Sequence, residues 1–412
     1  MEIRPILSAL LRSKTGAILV AVQVAISLAI LANALHIVEV RQGVAARPSG
    51  MQDEASLFYL RVRHLDDVDH DGELAQQKAE VATLRAVPGI TSVAFTNQMP
   101  LSRSGSTNSV AADRKQVNES ANASFYYSPE SLVKTWGLKI VEGRDFTPDE
   151  VLELDASADR DNFPKSIIIT RALARKVWPN DASALGKTLY MGTGEDANGT
   201  RVVGVVERLQ TQQAQVDESG EYSMIVPLRL TNGFGTIYTA RAEPGQRDRV
   251  MKEAEEALRK ASPRPVLIDA ETVEEDRNQR YRSDKALSWM LITVSVLLLL
   301  ITASGIVGMA SLWVTQRRKQ IGVRRALGAR RVDILRYFIT ENFMITSIGV
   351  FAGVMLAIGL NQLLVSKLEM ARLPIGYLLA GAGVFWALGV AAVYGPAWRA
   401  ASISPALATR SA

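Results

Sequence analysis

The chain has 412 residues, too many for one ordinary domain and enough for two or three. Its apolar share of 48%, formal charge of +5 and pI near 9.3 are averages that fit a soluble enzyme or a nucleic-acid binder equally well, so the distribution of residues has to decide. The absence of cysteine excludes a disulfide-stapled external domain and leaves the redox compartment open.

The distribution is uneven. Residues 15–38, 286–316, 342–366 and 373–398 contain no Asp, Glu, Lys or Arg, and each exceeds the roughly 20 apolar residues that a spanning helix needs. A buried core helix is seldom uncharged for so long, so all four are expected to cross a membrane. The first follows Arg4, Arg12 and Lys14 as a signal peptide would, yet it is longer than the roughly 7 to 15 residues of a signal h-region, and no clear cleavage site follows. It is expected to be an anchor.

The basic residues lie where a membrane protein places them, which removes the case for nucleic acid. Arg317, Arg318, Lys319, Arg324, Arg325, Arg330, Arg331 and Arg336 crowd one short segment, opposed only by Asp333. The positive-inside rule makes that segment cytoplasmic, and an even number of spans then puts both termini inside. The expected order is a cytoplasmic amphipathic segment at 1–14, a first span at 15–38, an external domain with a helical stalk at 39–285 and a second span at 286–314. A cytoplasmic basic segment follows at 315–340, then a third span at 341–366, a short external loop at 367–372, a fourth span at 373–398 and a cytoplasmic tail at 399–412. The fold class is thus four transmembrane α-helices plus a large α+β external domain.

Within that domain, strands are predicted at 57–62, 167–170, 202–206 and 237–240, and helices at 74–87, 129–136 and 172–178, each helix stopped by Gly or Pro. Polar sequence at 102–120 and acidic sequence at 149–161 are expected to be exposed loops. From Glu271 there is no Pro or Gly until Gly305. One helix is therefore expected to run into the second span, its first part rising roughly 20 Å above the membrane; the alternative is a separate short helix and a hinge near Ser283.

The most informative run is 315–342, TQRRKQIGVRRALGARRVDILRYFITEN. After its basic first half, Val332, Ile334, Leu335, Phe338 and Ile339 recur at helical spacing, as in a helix lying on a membrane surface before turning into it. Its wording resembles the FtsX-like permease family, whose basic segment has a Gly-[IVL]-Arg-Arg-Ala-[LI]-Gly-Ala core; here that core is Gly322, Val323, Arg324, Arg325, Ala326, Leu327, Gly328 and Ala329. The tail from Pro396 to Pro405 is similar to the family's ending. Trp136, Gly137 and Leu138, the run Glu142 to Phe146, residues 168–178 and the strand after Gly186 resemble the MacB-like periplasmic core. Two departures are Gln320, where members often carry Glu, and Ala408, Thr409, Arg410 in place of Ala-Leu-Arg.

The resemblance implies a non-catalytic ABC transporter permease of the inner (plasma) membrane. Gln320, Ile321 and the eight core residues would form the surface coupling it to a separate ABC ATPase, which would carry ATP and Mg, and Arg324 and Arg325 would meet acidic groups there. This chain itself is expected to bind no cofactor. Further implied partners are a second permease copy or paralogue, membrane lipid, and a periplasmic adaptor with an outer-membrane channel. Two functions stay open: ATP-driven export or extraction of a substrate from the periplasm or outer leaflet, and regulation of a periplasmic cell-wall hydrolase or reporting of ligand binding through the same mechanical relay.

Gly349 and Gly353, and Ala387, Ala391 and Gly395, have the four-residue spacing of small residues that suits helix packing. The spans carry no acid or base at mid-membrane, and Glu341 is expected to face lipid headgroups. Gly186, Lys187 and Thr188 imitate the end of a Walker A loop, but Asp181 occupies the position of its first glycine. Asp67, Asp69 and Asp71 imitate half of an EF-hand loop whose twelfth position is Lys78, so they are a weak metal candidate and are better read as a helix-capping turn. With three histidines and no nucleophile elbow, an enzymatic external domain is disfavoured.

Overall fold

The computed structural model describes residues 14–66, 68–158, 162–232, 236–368 and 371–402. Residues 1–13, Asp67 and the end of the C-terminal motif from Ile403 lie outside the described residues. The chain divides into a helical unit, Met1–Ala45 with Asp284–Ala412, and an α/β unit, Ala46–Ser283.

The elements begin with α1 (Lys14–Ala45), β1 (Leu57–His64), α2 (His70–Arg85), β2 (Ile90–Thr96), β3 (Thr107–Ala111) and β4 (Ala121–Tyr127). Next come α3 (Leu132–Trp136), β5 (Ile140–Gly143), β6 (Leu152–Asp155), β7 (Ser166–Thr170), α4 (Arg171–Val177), β8 (Thr188–Met191) and β9 (Asn198–Val206). The α/β unit closes with β10 (Ser223–Val226), β11 (Leu228–Thr231), β12 (Thr236–Ala242), α5 (Arg247–Ala261) and β13 (Val266–Thr272). The remaining helices are α6 (Val273–Gln316), α7 (Arg318–Ala326), α8 (Arg331–Leu368) and α9 (Ile375–Ala401).

The first sheet has the order β13-β1-β12-β2, antiparallel throughout. That is the order of a split β-α-β repeat, with everything between β2 and β12 inserted as a second lobe. The alternation of β1 explains its burial on both faces. Phe58, Leu60 and Val62 join the core containing Val81 and Leu84 of α2 and Val250, Ala254 and Leu258 of α5, while Leu57 and Tyr59 join the core containing Trp136.

In the inserted lobe the order is β5-β9-β7-β10-β4-β3-β8, and β8 also pairs with β9, which closes all of these strands except β5 into a ring. A parallel β6–β11 pair stands apart. Short α3 is fixed at both ends: the Ser131 hydroxyl accepts from Lys134 N at 2.9 Å, and Gly137, at φ +65°, lets Leu138 N donate to Val133 O at 2.8 Å. Those caps aim Trp136 into the core, where its Nε1 donates to Thr239 at 3.0 Å.

Two expected loops contain strands. Residues 107–111 form β3, with Val110 and Ala111 fully buried, and residues 152–155 form β6. Both strands are short and polar on one face, so their composition reads as loop although their backbones are paired.

In the helical unit, α1, α6, α8 and α9 are long and apolar enough to cross a membrane. Val24 and Leu28 of α1, Ile345 of α8 and Phe385 of α9 share one core. A Cβ on Gly349 would sit 2.8 Å from Ala21 O, and one on Gly353 3.0 Å from Ala25 O, so these glycines admit α1 against α8. On α9 the buried face carries Gly381, Phe385, Gly389, Val393 and Ala397, and Ala387, Ala391 and Gly395 lie on the exposed face. Helix α6 joins the core through Ile306, Ala310 and Trp313, and Ser27 bonds Thr302 at 2.9 Å. Asn33 ties α1 to α8 by donating to Ala357 O at 3.1 Å. The outward faces are apolar, with Trp289 70% and Phe351 73% exposed.

Candidate coupling site

The basic segment is ordered. Helix α6 ends at Gln316, Arg317 leaves helical geometry with ψ 11°, and α7 begins at Arg318. Helix α7 ends in a Schellman motif: Gly328 has φ +99°, Ala329 N donates to Arg324 O at 3.1 Å, and Gly328 N donates to Arg325 O at 3.1 Å. Asp333 then caps α8, its carboxylate accepting from Arg330 N at 2.9 Å.

Three contacts hold α7 against the helix ends. Arg317 donates at 2.8 Å to both oxygens of Glu341, whose side chain is only 1% exposed. This corrects the expectation that Glu341 faces headgroups: a carboxylate this buried needs a cation and hydrogen bonds, and Arg317 supplies both. Ile321 is buried in the core shared with Ile334 and Phe338 of α8. Arg325 donates to Ala401 O at the end of α9, one of the carbonyls that a helix leaves without a partner of its own.

The ten residues of the anticipated coupling surface therefore divide. Ile321 and Gly322 face inward, Arg325 is half-buried on α9, and Ala329 is half-buried. Gln320, Val323, Arg324, Ala326, Leu327 and Gly328 are exposed, with the Arg324 guanidinium 5.1 Å from the centre of the Tyr337 ring. Leu327 is 83% and Val323 51% exposed, four residues apart on a basic helix. Charge made this segment stand out in the sequence. Val323 and Leu327 belong to the anticipated coupling surface, but nothing in the sequence singled them out as its exposed apolar tip.

The discounted motifs have local structural uses. Lys187 pairs with Asp181, and Thr188 opens strand β8 where a nucleotide loop would open a helix. Asp69 caps α2, accepting from Gly72 N at 3.0 Å, and Asp71 lies in its first turn. Among the described residues no group of three His, Cys, Asp or Glu side chains has metal-binding geometry.

The family model for the MacB-like periplasmic core domain matches residues 21–258, and that for the FtsX-like permease C-terminal region matches residues 292–405. The chain belongs to the MacB-like, FtsX-like family of ABC transporter permeases. As a family member it is a membrane protein, and its described residues include four helices apolar and long enough to cross a membrane and one large α/β domain. The macrolide export ATP-binding/permease protein MacB of Agrobacterium fabrum is 25% identical over 336 residues, 79% of this chain and 49% of that one. The protein of the same name from Chromobacterium violaceum is 25% identical over 70% of this chain and 43% of that one. The pyoverdine export ATP-binding/permease protein PvdT of Pseudomonas savastanoi pv. phaseolicola is 32% identical over 230 residues, 51% of this chain and 33% of that one. The chain thus spans about half the length, or less, of these curated relatives.

Proposed function

We propose that this chain is the mechanical membrane subunit of an ABC exporter. An ABC ATPase carrying ATP and Mg docks on the exposed face of α7. Its movement passes through the spans to the α/β domain, which acts on a substrate in the periplasm or the outer leaflet. In this reading the subunit lies in the inner membrane with both termini and α7 in the cytoplasm and the α/β domain outside, and it works as a dimer with a second copy or a related permease. A periplasmic adaptor and an outer-membrane channel complete the path. Export is favoured over hydrolase regulation because the relatives are named for macrolide and pyoverdine export.

The observation that carries the proposal is the construction of α7. A short helix fixed to α8 by Arg317–Glu341 and to α9 by Arg325 cannot yield independently, so a push on Val323 and Leu327 reaches both helices. Its basic charge complements an acidic docking surface, and the exposed apolar pair gives that surface something to bury.

The test is purification of the tagged chain from its native cell in mild detergent, with mass spectrometry of what stays bound. A stoichiometric ABC ATPase, with nucleotide turnover that responds to candidate export substrates, is the expected result. A stoichiometric cell-wall hydrolase without an adaptor would replace export with regulation, and the absence of any ATPase would end the docking proposal.

A further inference from the structure

A polar cleft of about 480 Å³ opens in the inserted lobe, with Thr107, Asn122, Ser124, Lys176 and Gln212 among its lining residues. One wall is the loop at 211–217, between β9 and β10, which has no helix or strand of its own. Its backbone carbonyls must therefore find partners elsewhere, and two arginines provide most of them.

Arg47, two residues beyond the end of α1, donates Nη1 to Gln215 O at 3.2 Å and to Asp217 O at 3.1 Å, and Nη2 to Val216 O at 2.6 Å. Arg280, in the first turns of α6, donates Nε to Gln213 O at 2.7 Å and Nη2 to Ala214 O at 2.9 Å. Every carbonyl from 213 to 217 is thus gripped by an arginine. The two arginines stand on the two chain segments that connect the α/β unit to the helical unit, and the Arg277 guanidinium joins those segments by donating to Arg47 O at 3.1 Å and to Glu54 at 2.6 and 2.9 Å.

The loop is also held in an uncommon shape. Ala214 has φ +43°, and the neighbouring Leu101 and Arg103, at φ +69° and +63°, donate their N–H groups to Thr211 O at 3.2 Å and Gln212 O at 2.9 Å. Left-handed non-glycine residues persist only where surrounding contacts over-determine them, and they concentrate at sites that move or bind. Gly220 permits the grip, since a Cβ there would lie 2.3 Å from Gln215 O and 3.1 Å from Arg47 Nη1.

We propose that Arg47 and Arg280 are positioning residues that convert displacement of α1 and α6 into movement of the 211–217 wall of the cleft. This rests on the reading that ATP-driven movement reaches the α/β domain. Guanidinium groups suit the task because each presents a planar fork that fixes several carbonyls at once, where a lysine would offer a single point charge.

The test uses the full chain with its ATPase in lipid nanodiscs, comparing amide hydrogen exchange in the nucleotide-free and ATP-vanadate-trapped states. Wild-type exchange at 211–217 is expected to differ between the two states. In R47M/R280M that difference is expected to vanish while a nucleotide-dependent change at 318–326 remains. R47K and R280K, which keep the charge and the fold but lose the fork, are expected to show a reduced difference and keep the test available if the double variant misfolds. A difference that persists undiminished in the variants overturns the proposal, as does a silent 211–217 segment when strands such as β12 respond. If nothing in the α/β domain responds to nucleotide in the wild type, the underlying reading of transmitted movement fails as well.

Discussion

Arg317, the residue between α6 and α7, donates one guanidinium nitrogen at 2.8 Å to each oxygen of Glu341, and the Glu341 side chain is 1% exposed. Two acts of folding meet in this pair: the turn that starts α7, and the placement of α8 beneath it. Because Glu341 is so thoroughly removed from solvent, the pair behaves as a buried one, in which loss of a single partner leaves an uncompensated charge. R317M is expected to cost about 3–5 kcal/mol of stability, and R317M/E341M to recover most of it. Thermal unfolding in detergent checks the order; a double variant no more stable than R317M would contradict it.

The two arginines at the centre of the basic motif are chemically alike and structurally different. Arg325 bonds the terminal carbonyl of α9, and Arg324 lies over Tyr337 at 5.1 Å. R325A is expected to lose about 1–3 kcal/mol, the cost of unmaking a charged hydrogen bond. For R324A the expected loss is about 0.5–1 kcal/mol. Melting curves that rank R324A as the more damaging would count against this division.

Small residues in the spans also divide. Valine at Gly353 would meet Ala25 O and Leu28 near 3.0 Å, whereas no described residue lies within 4 Å of a Cβ at Gly395. G353V is expected to destabilise the chain by about 1–3 kcal/mol through overpacking, and G395V to leave its melting temperature unchanged. Equal effects of the two substitutions would refute the assignment of Gly353 to the α1 contact.

Acid should weaken the α/β domain through Glu150. Its carboxylate accepts from Arg144 at 2.6 and 3.0 Å, from Ser166 at 2.5 Å and from Thr147 N at 2.8 Å. Arg144 first, then Ser166 and Thr147, hold the carboxyl well below the usual carboxylate range. A depressed folded-state value means the stabilisation is present above the unfolded value of about 4.3 and is lost as pH falls through the folded one. E150Q is expected to melt lower at neutral pH and to lose less on acidification than the wild type. Parallel pH profiles for the two proteins would exclude this role.

Much of this fold was legible because membranes make simple demands. Long uncharged runs mark the spans, and the basic cluster marks the segment between two of them. Strands such as 167–170 and helices stopped by Gly137 or Pro179 announce themselves through burial and punctuation. Helix α5 did not, because its buried stripe of Val250, Ala254 and Leu258 is narrow within a highly charged sequence. Strand β3 was hidden by its Thr, Asn and Ser, and of the two partners that define it, β4 lies across a polar turn and β8 is remote in sequence. The candidate site was legible as a segment but not as a geometry. No local pattern states that Glu341 is buried, that Arg325 reaches Ala401, or that Arg47 and Arg280 share one loop.

The central claim is that the exposed tip of α7 is where the ATPase docks, and V323D/L327D tests it most directly. Both side chains are exposed, at 51% and 83%, so the variant should insert and fold as the wild type does. The measurement is the amount of ABC ATPase that co-purifies with the tagged variant in mild detergent, relative to wild type at equal membrane abundance. The expected result is loss of most of the ATPase. Retention of the full wild-type amount would contradict docking on α7.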